Sequence, residues 1–443
     1  MKRYVMVGGG VAALAAAEAV RRQDAGSEIL LFSEDPFGFY SRPGLAYLLT
    51  GEVPEKQLFP FSAQDFRRLR LRLLHHRVAA VDLRAHVVVT AEGKEVGYDR
   101  LLLATGSSAV MPSLPGAALE GVVKLDDMQD ARRILKLARR ARRAVVVGGG
   151  ITALELVEGL AARGVRVHYL LRGERYWRRV LDEHESAIVE RKLEEDGVRI
   201  HRHAEVAEIL GKRGRVAGVR LKNGEVIKCK MVAIAVGVRP NKGLAEAAGL
   251  RCGRGVLVDA FMRTGDPDVF AAGDVAEVYD PLSGRTVLDT LWPTARTQGR
   301  AAGLNMAGAN HPYRRKVPIN VTRLAGITTT IIGTVGQPGA DKDTLGIVRG
   351  DSETWRTLPD AIAAQEGFEV NRIRLMIAGR HIVGAIIMGN QLLSQPLYRM
   401  IAGQADIAPV REQLLRPGAP IADILAAFWE QWRVQDGNRT VSV

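Results

Sequence analysis

The pattern that most restricts what this chain can fold into occurs twice. Residues 3–35 open with a short apolar run, RYVMV, and turn through Gly8-x-Gly10-x-x-Ala13 into a small-residue stretch, Ala12 to Arg22. They return as SEILLFSED (27–35), whose acidic end lies about 25 positions after the first glycine. Residues 142–174, RRAVVVGGGITALELVEGLAARGVRVHYLLRGE, repeat strand, Gly148-x-Gly150-x-x-Ala153, helix and strand about 140 residues later. This strand–turn–helix–strand order is the fingerprint of a dinucleotide-binding unit. The first glycine makes the tight turn, the second lets the backbone approach a pyrophosphate at the helix N-terminus, and the small third residue lets helix and strand pack closely. One glycine cluster alone reads equally as a plain tight turn. Two in matched settings predict two dinucleotide sites, one at Gly8, Gly9, Gly10, Val11, Ala12 and Ala13, the other at Gly148, Gly149, Gly150, Ile151, Thr152 and Ala153. Met1, Lys2 and Arg3 ahead of an Ala-rich apolar run also fit a secretory leader, but a leader needs neither the following strand nor its acidic end.

At 443 residues the chain exceeds what one core usually covers, and two or three domains are expected. Its two cysteines, Cys229 and Cys252, have no CxxC spacing, which excludes a disulfide framework, a zinc site or an iron–sulfur site within one chain; no metal is expected. The cysteine usage points to the cytoplasm, and any redox chemistry must come from an organic cofactor. No run reaches the roughly 18 apolar residues of a spanning helix. The net charge of +13 is concentrated in RRLRLRLLHHR (67–77), RRILKLARRARR (132–143) and RGERYWRR (172–179). With aromatics at 5% and no recognition motif, nucleic acid is not expected. The basic runs read as solvated helix faces, or as a field that steers an acidic protein or an anionic cofactor.

Beyond the two fingerprints, YDRLLLATGSS (98–108), AIAVGVRPN (233–241) and DVFAAGDVAE (268–277) follow in order. With these five motifs the first 315 or so residues resemble the two-dinucleotide-binding flavoproteins of the pyridine nucleotide-disulfide oxidoreductase group. The resemblance implies an α/β fold with two Rossmann-like domains, for FAD and NAD(P), the second inserted in the first, plus a C-terminal α+β interface domain. The implied boundaries are 1–112 and 241–315 for the FAD domain, 113–240 for the NAD(P) domain and 316–443 for the interface domain. It implies that Gly8 to Ala13 contact the FAD pyrophosphate, that Glu34 and Asp35 hold the adenosine ribose, and that Val78, Ala104, Thr105, Gly106 and Gly273 line the cofactor. Asp274 is implied to hold ribityl or phosphate oxygens, and Trp292 with Ala295 to begin a helix aimed at the isoalloxazine ring. FYSRPGLAYLLTGE (39–52) resembles a segment of ferredoxin and rubredoxin reductases, apoptosis-inducing factor and the flavin module of nitrite reductase, and implies Arg42 at the phosphates.

Departures from the family pattern matter as much. Pro43 stands where the single-cysteine oxidases and peroxidases carry their thiol, which argues against thiol chemistry. No cysteines remain for the cluster and sirohaem of a complete nitrite reductase. Tyr47 and Val110 replace a Lys and an Arg common among relatives.

The second fingerprint ends in Arg172, Gly173, Glu174 and Arg175, where NADH users place a carboxylate. Guanidinium groups bind a 2′-phosphate through charged hydrogen bonds, so Arg172 and Arg175 favour NADPH. The alternative is a solvated Arg172, with Glu174 holding the ribose of NADH. By the resemblance Glu155 meets the nicotinamide amide, and Gly237 lets the backbone pass close to the ring.

After residue 316, β-branched strand patterns (320–336 and 372–389) surround Ile347-Val348 and Trp355, and two helices follow, QPLYRMIAGQ and 421–433. Ile421, Leu425, Phe428, Trp429 and Trp432 form an apolar stripe, read as core or homodimer packing, or as a peripheral membrane contact. PTARTQG (293–299) weakly resembles a quinone segment, with ordinary helix packing as the plainer reading. The expected function is an FAD-dependent NAD(P)H oxidoreductase that delivers electrons to an acidic ferredoxin or rubredoxin, with no side chain named as catalytic. A peripheral quinone reductase and a redox-sensing binding module are the alternatives.

Overall fold

The first fingerprint strand, Arg3–Val7, occupies the middle of a five-stranded parallel sheet in the order Val269–Ala271, Arg100–Leu103, Arg3–Val7, Glu28–Phe32, Leu71–Leu74. The second fingerprint strand, Arg143–Val147, has the same place in a second all-parallel sheet: Val122–Val123, Met231–Ile234, Arg143–Val147, Arg166–Leu170, Arg199–His201. The internal repeat thus extends from the glycine turns to whole sheets. These strands are nearly continuous apolar runs because parallel sheets are covered on both faces. The computed structural model describes residues 1–280, 284–335, 361–366 and 371–440; Ile347, Val348 and Trp355 lie outside them.

The described residues divide into two compact units. The first holds 1–172 and 197–315 and contains both parallel sheets. Its chain leaves the first sheet after Arg100–Leu103, builds the second, and returns at Val269–Ala271. Exit and return run side by side as an antiparallel ribbon, Ser107–Ala109 against Val238–Pro240. Within this unit the helix Trp292–Met306 lies on the first glycine helix, Val11–Gln23, with glycines at the contact. A Cβ on Gly299 would lie 2.0 Å from the Ala12 carbonyl oxygen, and one on Gly303 2.3 Å from that of Ala16. Only glycine and alanine faces let two helix backbones approach this closely.

The second unit gathers 173–196 with the described residues beyond 316, so a segment inside the expected 113–240 stretch packs with the C-terminal part. Its antiparallel sheet runs Ile319–Leu324, Ile327–Gly333, His381–Met388, Arg372–Ala378, Ala361–Glu366. Among the described residues three helices follow, where two were expected: Ser394–Ala402, Ala408–Leu414 and Ile421–Thr440. The extra one is short and begins on Ala408-Pro409, and its seven residues give little periodicity to read. Ile421, Leu425 and Phe428 are buried in this unit's core; Trp429 and Trp432 pack against it, and Trp432 sits on Gly403. The stripe therefore packs inside its own unit, and the membrane-contact reading loses its apolar face. No described helix is long and apolar enough to cross a membrane.

Candidate functional site: two glycine turns and the segments between them

Gly8 has φ +113° and Gly148 φ +148°. A Cβ on Gly8 would lie 2.1 Å from the Ala104 carbonyl oxygen, and one on Gly148 2.1 Å from that of Ala235. Each first glycine is pressed against the carbonyl that ends the neighbouring parallel strand, so the two turns are built alike. Ala13 and Ala153, the third positions, are fully buried where helix meets strand. Gly10 and Gly150 are the N-caps of Val11–Gln23 and Ile151–Ala162 and have no side chain to close the first turn. Three other helices are closed by the side chains of Ser62, Asp127 and Asp182. Two uncapped helix N-termini, with no atom within 4 Å of a Cβ placed on Gly10 or Gly149, leave N–H donors and the positive helix end for an anion. The residues present therefore fit the pyrophosphates of FAD and a nicotinamide nucleotide.

The acidic end of the first fingerprint divides its work. Asp35 accepts hydrogen bonds from the Tyr40 hydroxyl at 2.8 Å and the Phe37 N–H at 2.9 Å, and so shapes the chain that follows. Glu34 keeps an exposed carboxylate, with Arg77 3.9 Å away. Of the expected pair, Glu34 is the one open to a ribose. Tyr40 also accepts the Met128 N–H at 3.0 Å, and burial holds its hydroxyl well above the usual range. Arg42 lines a cleft with Gly9, Ser33, Asp35, Gly38 and Tyr40. Val78 opens a separate antiparallel strand, Val78–Asp82, directly after Arg77.

The remaining expected residues converge through side chains that sequence reasoning did not assign. Ser107, just after Ala104-Thr105-Gly106, donates to Asp274 at 2.6 Å. Asn241 donates to the Thr105 carbonyl at 2.9 Å and accepts the Thr105 hydroxyl on its own carbonyl at 2.8 Å, closing the crossover ribbon. Gln298 is buried and accepts the Gly273 N–H at 2.9 Å, a more specific contact than ordinary helix packing. Gly273, at φ +82°, would bring a Cβ to 3.1 Å from Ala12 and 3.7 Å from Ala295. Trp292 is exposed at the helix start, with the Arg296 guanidinium 6.0 Å over its ring. Ser107 lies in YDRLLLATGSS and Asn241 in AIAVGVRPN, and the signal that marks each is a polar side chain beside a glycine or proline turn.

At the second fingerprint, Glu155 is half-buried on the helix and Gly237, at φ +123°, takes the Val110 N–H on its carbonyl at 2.9 Å. Arg172 is exposed at the end of Arg166–Leu170. In the second unit Arg175 is paired with the neighbouring Glu174 carboxylate.

Neither cysteine is poised for thiol chemistry. Burial pushes the Cys229 thiol up to about 12, and burial, with Glu246 adding, raises that of Cys252. No cluster of three or more His, Cys, Asp or Glu able to hold a metal occurs among the described residues.

The sequence model of the pyridine nucleotide-disulphide oxidoreductase family matches residues 2–299. The ferredoxin–NAD(+) reductase component of the biphenyl dioxygenase system of Paraburkholderia xenovorans is 33% identical over 354 residues, 80% of this chain and 85% of that protein. The rubredoxin-NAD(+) reductase of Ectopseudomonas oleovorans is 30% identical over 313 residues, 70% and 80% of the two chains. The reductase fold of the covalent putidaredoxin reductase–putidaredoxin complex superimposes with a TM-score of 0.83 over 96% of this chain and 98% of that one, at 23% identity. With both glycine turns built alike on paired parallel sheets, the chain belongs to the pyridine nucleotide-disulphide oxidoreductase family, as an FAD-dependent NAD(P)H oxidoreductase.

Proposed function

We propose that the protein is an NAD(P)H-dependent reductase of a small acidic iron–sulfur protein of the ferredoxin or rubredoxin type. The observation that carries this reading is the pair of uncapped glycine helices in one unit, together with cysteines that burial keeps as thiols. Bound FAD would supply the redox chemistry between the nicotinamide nucleotide and the acceptor. The protein's part is to bind, orient and set the local field. Gly8 to Ala13 offer backbone N–H groups to the FAD pyrophosphate, Glu34 accepts from the ribose hydroxyls, and Arg42 pairs with phosphate. Val78, Ala104, Thr105, Gly106 and Gly273 line the cofactor, and Asp274, held by Ser107, accepts from the ribityl chain. Trp292 and Ala295 begin a helix whose positive end would favour negative charge on a bound flavin. Gly148 to Ala153 serve the second pyrophosphate, Glu155 the nicotinamide amide, and Gly237 the close passage of backbone.

Arg172, exposed at a strand end where a carboxylate would select NADH, supports NADPH. The pairing of Arg175 with Glu174 leaves Arg172 to carry that selectivity. NADH is the second reading, favoured by the two relatives named as NAD(+) reductases. An acidic partner is supported by the net charge of +13, and by relatives named for ferredoxin and rubredoxin. Anaerobic stopped-flow reduction of the flavin-loaded protein with NADPH and NADH tests the first half-reaction. Rapid bleaching is expected; slow reduction by both nucleotides would favour a redox-sensing role.

A further inference from the structure

Two helices of the first unit, Gly44–Thr50 and Ile151–Ala162, meet at a contact that lies away from both glycine turns. A Cβ on Gly159 would lie 2.6 Å from the Leu49 Cβ, closer than real side chains come, so glycine is what admits the approach. Arg163, the C-cap of Ile151–Ala162, completes it. Its Nε donates to the Leu49 carbonyl at 2.8 Å and its Nη2 to the Leu48 carbonyl at 3.0 Å. The Leu48 carbonyl also takes the Gly51 N–H at 3.2 Å, and both carbonyls lie at the negative end of their helix, which a forked cation complements. Gly51, at φ +90°, ends the shorter helix, and a Cβ there would sit 3.0 Å from the Arg163 Nη2.

Each helix leads to one glycine turn. Gly44–Thr50 starts two residues after Arg42, which lines the cleft beside Gly9. Ile151–Ala162 starts on Gly150, and its 12 residues span about 18 Å to Arg163. One guanidinium thus fixes the segment beside the first dinucleotide turn to the helix that rises from the second.

We propose that Arg163 is a positioning residue for hydride transfer, setting the distance between the redox ends of the two dinucleotides without touching either. The inference rests on the reading that the two turns hold FAD and NAD(P)H for one reaction. Hydride transfer needs reacting atoms about 3–3.5 Å apart, and a displacement of about 1 Å costs on the order of a hundredfold in rate. Arg163 is an exposed residue, so truncating it opens no core cavity.

The test compares the native flavin-loaded protein with Arg163→Met, Arg163→Lys and Gly159→Ala in anaerobic stopped flow with each nucleotide. The readouts are the limiting rate of flavin reduction, the half-saturating concentration, the isotope effect with nucleotide deuterated at C4, flavin content and melting temperature. Arg163→Met is expected to lower the limiting rate at least about tenfold, with a fully expressed isotope effect. Its half-saturating concentration should stay within about twofold of native. Arg163→Lys, which keeps one of the two hydrogen bonds, should recover part of the rate. Gly159→Ala, which wedges the same contact apart, should reproduce the slow step, and it decides the matter if Arg163→Met does not fold. A limiting rate equal to native, or a fall that only follows lost flavin or lost melting temperature, overturns the proposal. A fast native reaction with unchanged variants overturns this inference alone; a native protein that neither nucleotide reduces overturns it together with the functional reading.

Discussion

Arg374 holds the carboxylate of Glu185 through two hydrogen bonds, Nε to Oε1 at 2.8 Å and Nη2 to Oε2 at 2.9 Å, with both residues almost fully buried. Nη2 also donates to the Val180 carbonyl at 2.6 Å, and the neighbouring Arg372 reaches Asp182 at 2.7 Å. Burial pushes the Glu185 carboxyl up, and Arg374 is the largest influence opposing it. This network is how residues 173–196 become part of the second unit.

Removing one partner of such a pair leaves the other charge buried without compensation. Arg374→Met is expected to destabilise the protein by about 3–5 kcal/mol. Arg374→Met with Glu185→Leu should recover much of that loss, because apolar residues of similar size replace buried ion pairs well. Chemical denaturation of the two single variants and the double variant gives the coupling energy; additive losses would show that the pair acts as two independent residues.

Gly8→Ala and Gly148→Ala introduce the same clash, 2.1 Å from a carbonyl oxygen, at turns with different expected ligands. Each should cost about 1–3 kcal/mol from overpacking. Gly8→Ala is expected to be purified with little flavin. Gly148→Ala is expected to keep its flavin and require far more nucleotide for reduction. The ratio of flavin to protein absorbance and a nucleotide titration separate the two outcomes.

Arg172→Ala tests nucleotide choice at the strand end. A charged hydrogen bond to phosphate contributes about 1.5–3 kcal/mol, so kcat/KM for NADPH should fall roughly ten- to a hundredfold with that for NADH nearly unchanged. Steady-state kinetics with both nucleotides measures this, and equal effects on the two would remove Arg172 from the 2′-phosphate site.

His168 and His201 face each other on adjacent parallel strands, Nδ1 to Nε2 at 2.9 Å. Burial lowers the pKa of His168, and the charge of His201, then those of Arg199 and Arg143, add to it. A folded-state pKa below the unfolded one means that the unfolded chain binds the proton more readily. The stability from a neutral His168 is therefore complete above about pH 6.5 and is lost as pH falls through that value toward the folded pKa. Melting temperatures across this window should drop in the native protein and drop less in His168→Gln.

Salt should slow electron delivery to an acidic ferredoxin. Charges separated by more than a Debye length of about 8 Å at physiological ionic strength are largely screened, so the association rate falls as salt rises. Reduction of the flavin by nucleotide should depend on salt far less. A salt-insensitive rate with the protein acceptor would point away from electrostatic steering.

Both glycine turns, their strands and helices, and the pairing of two similar lobes could be read from residues 3–35 and 142–174, because that pattern is local and each glycine meets a backbone demand within a few residues. The family could be read from five ordered motifs for the same reason. Contacts between distant segments could not. Nothing near Asp35 in the chain says that Tyr40 and Phe37 engage it and leave Glu34 open. The hydrogen bonds from Ser107 to Asp274 and from Gly273 to Gln298 join residues far apart in sequence, and a hydroxyl or amide carries no mark of its partner. The same holds for Arg163, which in the sequence is one more arginine of a basic chain. Local periodicity and turn chemistry determine elements and motifs; which polar side chains meet depends on how the elements pack, and tertiary structure alone decides that.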